Sequence, residues 1–298
     1  MSPVLSLPPL LQGRWQPAGR SDLSERSNGL PSRARALPPH LLALRDRLRA
    51  EVTGAAGSVA LAGPPLDAHL PGGALPLGQL HEVGAEGVEA EIGAAMAGFA
   101  ALLAGTIQPA RPVLWIAPRA DLNPPGLSAF GLDPARLVLV RPRDDAGTLG
   151  AMEAALREGG LAAVVGEVGR LERTASRRLH LAAQRHGVTA LVLRRWPHGR
   201  ARADREATAA VTRWRIASAP SAAEGGPQSR LLGPPRWAAA LLHARGGRPG
   251  AWLLEPAASP DREEDDDDRA PARPAHPFRV VAELAGDAAA APVRRAAV

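Results

Sequence analysis

The chain has 298 residues, 45% of them apolar, which is enough for one large α/β domain or two small ones with a proper core. It holds no Cys, no Tyr and no Lys, so all 36 basic residues are Arg; a disulfide framework, a thiol nucleophile, a thiolate zinc site, a Schiff-base lysine and a P-loop lysine are excluded. The formal net charge of +6 is unevenly spread, with acids gathered near the C-terminus and a strongly basic middle.

Residues 1–37, rich in Pro, Ser, Arg and Gly without a sustained period, are expected to form a disordered arm. No cationic segment leads from Met1-Ser2-Pro3 into a long apolar run, so no secretory signal is expected and the cytoplasm is the expected location. In the next segment, 38–62, Leu41, Leu44, Leu48 and Val52 recur at helical spacing with Arg45, Asp46, Arg47 and Arg49 between them, as on a surface-docked helix followed by a linker.

Between 63 and 256 apolar runs of strand length alternate with helix-length segments, the pattern of an α/β domain with a mainly parallel sheet flanked by helices. Strands are expected at Gln79–Val83, Val113–Ala117, Leu137–Val140, Leu161–Val165 and Val188–Leu193. The intervening helices are Glu89–Ala104, a short one opened by Pro124-Pro125, Gly147–Glu158, and one capped by Thr174 and stopped by Gly187. The apolar stretch Ile92–Ile107 falls short of the roughly 20 residues of a bilayer span, so it reads as a buried helix and no membrane partner is expected. Thr212–Ile216, Arg236–Leu242 and Gly250–Glu255 read as short strands extending the sheet in antiparallel fashion. Residues 257–298 return to Pro, Ala and charge and are expected to be a disordered acidic tail.

After a first strand, a nucleotide-binding α/β protein places a Gly-rich loop and a helix whose free N–H groups and positive dipole end face phosphate. That location here reads His81-Glu-Val-Gly-Ala-Glu-Gly-Val-Glu-Ala-Glu-Ile92. Gly84 and Gly87 remain as turn residues, but Glu86, Glu89 and Glu91 put negative charge where a polyphosphate would sit, and no Lys, Ser or Thr is present in the loop. At the end of the fourth strand, Gly166 occupies the position of the expected metal-holding Asp and Glu167 stands beside it, either a remnant or a solvated carboxylate. The loop is degenerate, the chain is expected not to be an enzyme, and no catalytic residue and no cofactor is assigned. None of the eight His falls in a metal-ligand motif such as H-E-x-x-H, and His81 and Glu82, as strand neighbours, point to opposite faces.

Gly63-Pro-Pro-Leu-Asp-Ala-His-Leu-Pro-Gly-Gly-Ala-Leu-Pro-Leu-Gly-Gln-Leu-His-Glu-Val83 resembles the approach to a RecA-like core, with Ala74 as an insertion. Residues 40–256 resemble the ImuA family, RecA-related proteins of SOS-inducible mutagenesis cassettes. Leu77–Val83, Ala129–Val140, Thr174–Ala183 and Arg245–Glu255 carry the match, the last two most specifically. The resemblance implies a RecA-like core and a non-catalytic accessory role in SOS-induced translesion synthesis. Its implied partners are an ImuB-like polymerase adaptor and an error-prone replicative polymerase, with RecA and single-stranded DNA as further candidates. Two alternatives stay open: an ATP-binding modulator of RecA recombination, and a SulA-like inhibitor of cell division.

Between Arg170 and Arg215 twelve Arg face three acids. Arg177 and Arg178 project from a helix, Arg194 and Arg195 follow the fifth strand, and Arg200, Arg202 and Arg205 lie in the loop beyond. With Trp196 they are candidate contacts for DNA or an acidic partner, a reading weighed equally against a solvated arginine surface. Trp214 could stack on a base or pack in the sheet, while Trp237 and Trp252 read as core. Asp261–Asp268, with seven carboxylates in eight residues, reads as a solubilising tail or as a DNA mimic over the arginine edge.

Overall fold

In a computed structural model, residues 56–85, 89–107, 110–195, 207–221, 233–257 and 276–284 are described. The arm over 1–37, the helix expected within 40–52 and the acidic run 261–268 lie outside these residues.

A two-residue ladder, β1 (Ser58–Val59) with β2 (Leu75–Pro76), brackets the short helix α1 (Pro64–Asp67). Asp67 is why this turn closes: its carboxylate accepts from the backbone N–H groups of Leu61 and Gly63, each at 2.9 Å. The same segment docks on the far end of the chain. Trp252 Nε1 donates to the Pro65 carbonyl (3.1 Å), the His69 ring stands edge-on to Trp252 at 4.9 Å, and Arg248 N donates to the His69 carbonyl (3.0 Å). A Cβ on Gly247 would come within 2.2 Å of that same carbonyl oxygen, so glycine is required there by close approach.

The main sheet has nine strands: β3 (Leu80–Ala85), β4 (Val113–Ile116), β5 (Leu137–Val140), β6 (Ala163–Val168), β7 (Thr189–Arg194), β8 (Thr212–Ala219), β9 (Arg236–Ala244), β10 (Gly250–Pro256) and β11 (Phe278–Glu283). Their spatial order is β11-β10-β9-β8-β3-β7-β6-β4-β5. From β8 through β5 every pairing is parallel, and β8-β9, β9-β10 and β10-β11 are antiparallel. The expected parallel core with an antiparallel extension is therefore present.

Three expectations need correction. Strand β8 pairs parallel with β3, His81 opposite Thr212 and Val83 opposite Trp214, so the antiparallel wing begins only at β9. Alternation fixes which face a side chain takes but not the direction of its strand. The segment 257–298, expected to be without structure, contributes β11, whose Phe278 is buried. Finally, Thr174 lies inside its helix: the helix starts at Arg173 with Glu172 at the N-cap position and no side-chain cap. There the Asp145 carboxylate, accepting from Gly169 N (3.0 Å) and Arg170 N (2.9 Å), ties down the preceding loop.

On one face of the sheet lies α2 (Glu89–Thr106), buried at Met96, Phe99 and Leu103. Around Phe99 gathers an aromatic core: Phe278 stacked at 4.9 Å, Trp214 at 5.7 Å and Trp237 at 6.2 Å. Trp214 is fully buried, so it serves packing and cannot stack on a base. Beside this core, α3 (Pro124–Leu127) leads through a 3₁₀ turn to Gly131. On the opposite face, α4 (Asp145–Glu158) and α5 (Arg173–His186) pack side by side over Leu80, Val164, Val192 and Ile116. Asp144 caps α4 by accepting from Gly147 N at 2.8 Å, which moves its start two residues ahead of expectation. Gly187 ends α5 in the left-handed region, as expected. No helix of the described residues is long and apolar enough to cross a membrane.

Candidate functional site

Parallel strands in an open α/β sheet point their carboxyl ends toward the crevice where ligands bind. Here that edge is built from the ends of β3, β4, β6 and β7, and buried charge fills it on both sides of the sheet.

On the α4–α5 side, Glu82 of β3 is 1% exposed. Arg194 Nη1 donates to its Oε1 at 2.8 Å, Thr208 Oγ1 to its Oε2 at 2.7 Å, and Arg213 Nε lies 3.3 Å from Oε2. Arg213 also donates to Thr208 Oγ1 (3.0 Å), which closes the group. On the α2 side, Glu167 of β6 is equally buried. It accepts from Trp115 Nε1 at 2.9 Å and from Arg195 Nη1 at 2.7 Å. Arg195 Nη2 reaches on to Asp121 Oδ2 at 2.7 Å.

The hydrogen bond from Arg195 holds the Asp121 carboxyl below its usual range. Burial works against the charge of Arg195, but its bonds to Asp121 and Glu167 outweigh that cost and raise its affinity for the proton. With three carboxylates against three guanidiniums, the two groups together are formally neutral.

Two close approaches define the space. Arg195 Nη2 lies 3.2 Å from where a Cβ on Gly93 would stand, so the guanidinium presses on the second turn of α2. A Cβ on Gly166 would lie 2.1 Å from Met152 Sδ, so an Asp at that position would displace the side chain packed under β6. Among the described residues no group of three His, Cys, Asp or Glu could hold a metal ion.

Of the residues singled out in the sequence, Gly84 belongs to β3, paired with Arg215, and is not a turn residue. Glu86, Gly87, Trp196, Arg200, Arg202 and Arg205 lie outside the described residues, as does the side chain of Glu89, whose backbone begins α2. Glu167 is buried and paired rather than solvated. Arg194 and Arg195, 1% and 8% exposed, are committed to internal carboxylates, which withdraws them from an external polyanion. Arg177 and Arg178 are exposed on α5, with Arg178 Nε 3.4 Å from Glu153. Asp121, Trp115, Thr208 and Arg213 also belong to this site, with no signal in the sequence that marks them. Their roles depend on strand order, which composition does not encode.

His81 and Glu82 do point to opposite faces. His81 Nε2 lies 2.9 Å from the Pro76 carbonyl, which can only accept, so this nitrogen carries the proton. Nδ1 then accepts from Thr212 Oγ1 at 2.8 Å. Burial pushes the His81 pKa down to about 4, so the ring is neutral near pH 7.

No family model matches the chain. It is 43% identical over 240 residues to Protein ImuA of Caulobacter vibrioides, in strain NA1000 / CB15N and in strain ATCC 19089 / CIP 103742 / CB 15; the match spans 78% of this chain and 92% of the relative. Among solved structures, SulA from Pseudomonas aeruginosa matches at 30% identity over 39% of this chain and 96% of its own. Its TM-score of 0.35 is too low to carry an argument about fold or function.

Proposed function

This chain belongs to the ImuA family, whose place is in SOS mutagenesis, and from that premise we propose that it is a non-catalytic accessory protein of translesion synthesis. In this reading a RecA-like core serves as an adaptor in the cytoplasm. It joins an ImuB-like polymerase adaptor and an error-prone replicative polymerase through protein contacts, without hydrolysing a nucleotide.

One observation carries the reading. Arg195 spans Glu167 and Asp121 and presses on Gly93 of α2, at the carboxyl edge of the parallel strands where an α/β sheet would receive a ligand. A guanidinium already satisfied by two carboxylates has little left to offer a polyphosphate, and moving it would leave Glu167 buried and unpaired. The lack of any Lys in the chain supports the same reading.

The test is capture of a purified ImuB-like adaptor by the full chain, with and without ATP, RecA and single-stranded DNA. Equal capture in the presence and absence of ATP is expected. Capture that requires ATP would overturn the non-catalytic reading and favour a nucleotide-dependent modulator of RecA.

A further inference from the structure

Helix α5 uses its two faces differently. Ser176, Leu179, His180 and Ala183 are buried against the sheet, so the helix is anchored without help from its outer side. That outer side carries Arg173, Arg177, Leu181 and Arg185 at four-residue steps, with Arg178 alongside, and all five are exposed. Residues four apart lie on one helical stripe.

Leu181, at 53% exposure, is the most exposed large apolar side chain of the described residues. It sits in the middle of the stripe with arginines one turn away on both sides. Among the described residues no carboxylate lies within ion-pair distance of Arg173, Arg177 or Arg185; Glu153 engages Arg178 and Arg157, and Glu172 engages Arg170. A single apolar side chain ringed by cationic ones is the layout of an interface centre with a polar rim.

We propose that this face of α5 is a docking surface for an acidic segment of a partner protein that brings one large apolar side chain onto Leu181. The proposal deepens the adaptor reading by giving it a surface. Arginine forks suit carboxylates in bidentate geometry, which answers the charge of the stripe. The leucine decides between acidic occupants. A nucleic-acid backbone would satisfy the arginines yet offer Leu181 only charged phosphate and sugar. The chain's own acidic run, within 257–275, has Ala and Pro as its only apolar residues and brings no large side chain to cover the leucine.

Fluorescence anisotropy with the full chain tests this. The probes are a labelled acidic helical peptide of about 20 residues bearing a leucine row, its leucine-to-alanine version, and an oligo-dT strand of similar length. The expected result is at least about tenfold tighter binding of the leucine peptide than of the alanine peptide, a step of about 1.4 kcal/mol. Leu181→Ala should erase that preference, and the double variant Arg177→Glu with Arg185→Glu should weaken both peptides. These positions are exposed, so unchanged thermal melts are the control for folding.

Equal affinity for the two peptides would overturn the proposal. So would tighter binding of oligo-dT that is lost in the double variant, which would assign the stripe to phosphate. Displacement of the leucine peptide by a peptide of residues 257–275 at equal concentration would overturn it as well, by assigning the surface to the chain's own acidic run. The peptide measurement does not use the ImuB-like protein, so failure of that capture would leave this result standing.

Discussion

Two pairs of adjacent arginines, Arg177-Arg178 and Arg194-Arg195, look alike in the sequence and have opposite fates in the structure. The first pair stands in solvent on α5; the second is buried at the end of β7. What separates them is the identity of their neighbours. Glu82 of β3 and Glu167 of β6 stand on either side of β7, and a buried carboxylate without a partner costs more than ordering an arginine to meet it. Basic density along a chain therefore says little about which cations face outward.

The comparison breaks first at Arg195. Arg195→Ala should lower the free energy of unfolding by about 3–5 kcal/mol, measured in urea, because it strands Glu167 in the interior. A loss near zero would mean that the strand-end group is as dispensable as a surface pair. Replacing Arg195 and Glu167 together with Met and Leu should recover much of that loss, since apolar residues of similar volume remove the need for pairing.

A second test concerns proton uptake at the same sheet. The His81 pKa is lowered from 6.5 to about 4, so between those values the unfolded chain binds the extra proton and the folded one resists it. Stability should be full above pH 6.5 and fall by about 3 kcal/mol as pH drops through this window, flattening below pH 4. His180 and His243, lowered chiefly by burial, add slope of the same sign. His81→Gln should remove the largest part of it, and an unchanged slope in that variant would assign the effect to other groups.

The smallest effect sharpens the contrast. Arg177→Ala should shift stability by no more than about 0.5 kcal/mol. Arg178→Ala should lie in the same range despite Glu153 at 3.4 Å, because Arg178 is exposed to solvent screening and Glu153 keeps Arg157 as a partner.

Most of the parallel core was legible in the sequence because buried strands such as Ala163–Val168 and Thr189–Arg194 read as apolar runs between helices ended by glycine. The direction of β8 was not legible, since Thr212, Trp214 and Ile216 would face the same core in either direction. Strand β11 was hidden because Phe278-Arg-Val-Val-Ala-Glu283 is short and half exposed, and gains meaning only through the stacking of Phe278 on Phe99. At the candidate site, the glycines and carboxylates that follow β3 could be read residue by residue, whereas the buried ion group at the strand ends could not. Arg195, Glu167, Asp121 and Trp115 meet only because β7, β6 and β4 are neighbours in space.

Phe278 also constrains how the chain can be made. The aromatic core around Phe99 and Trp237 cannot close until residue 278 has left the ribosome, roughly 40 residues after Trp237 and about 2–8 s later at a synthesis rate of ~5–20 residues per second. For that interval the nascent protein presents an unfinished apolar layer. Its yield in the cell should therefore depend on translation rate and on chaperones that shield such surfaces, more than the stability of the finished fold alone would suggest.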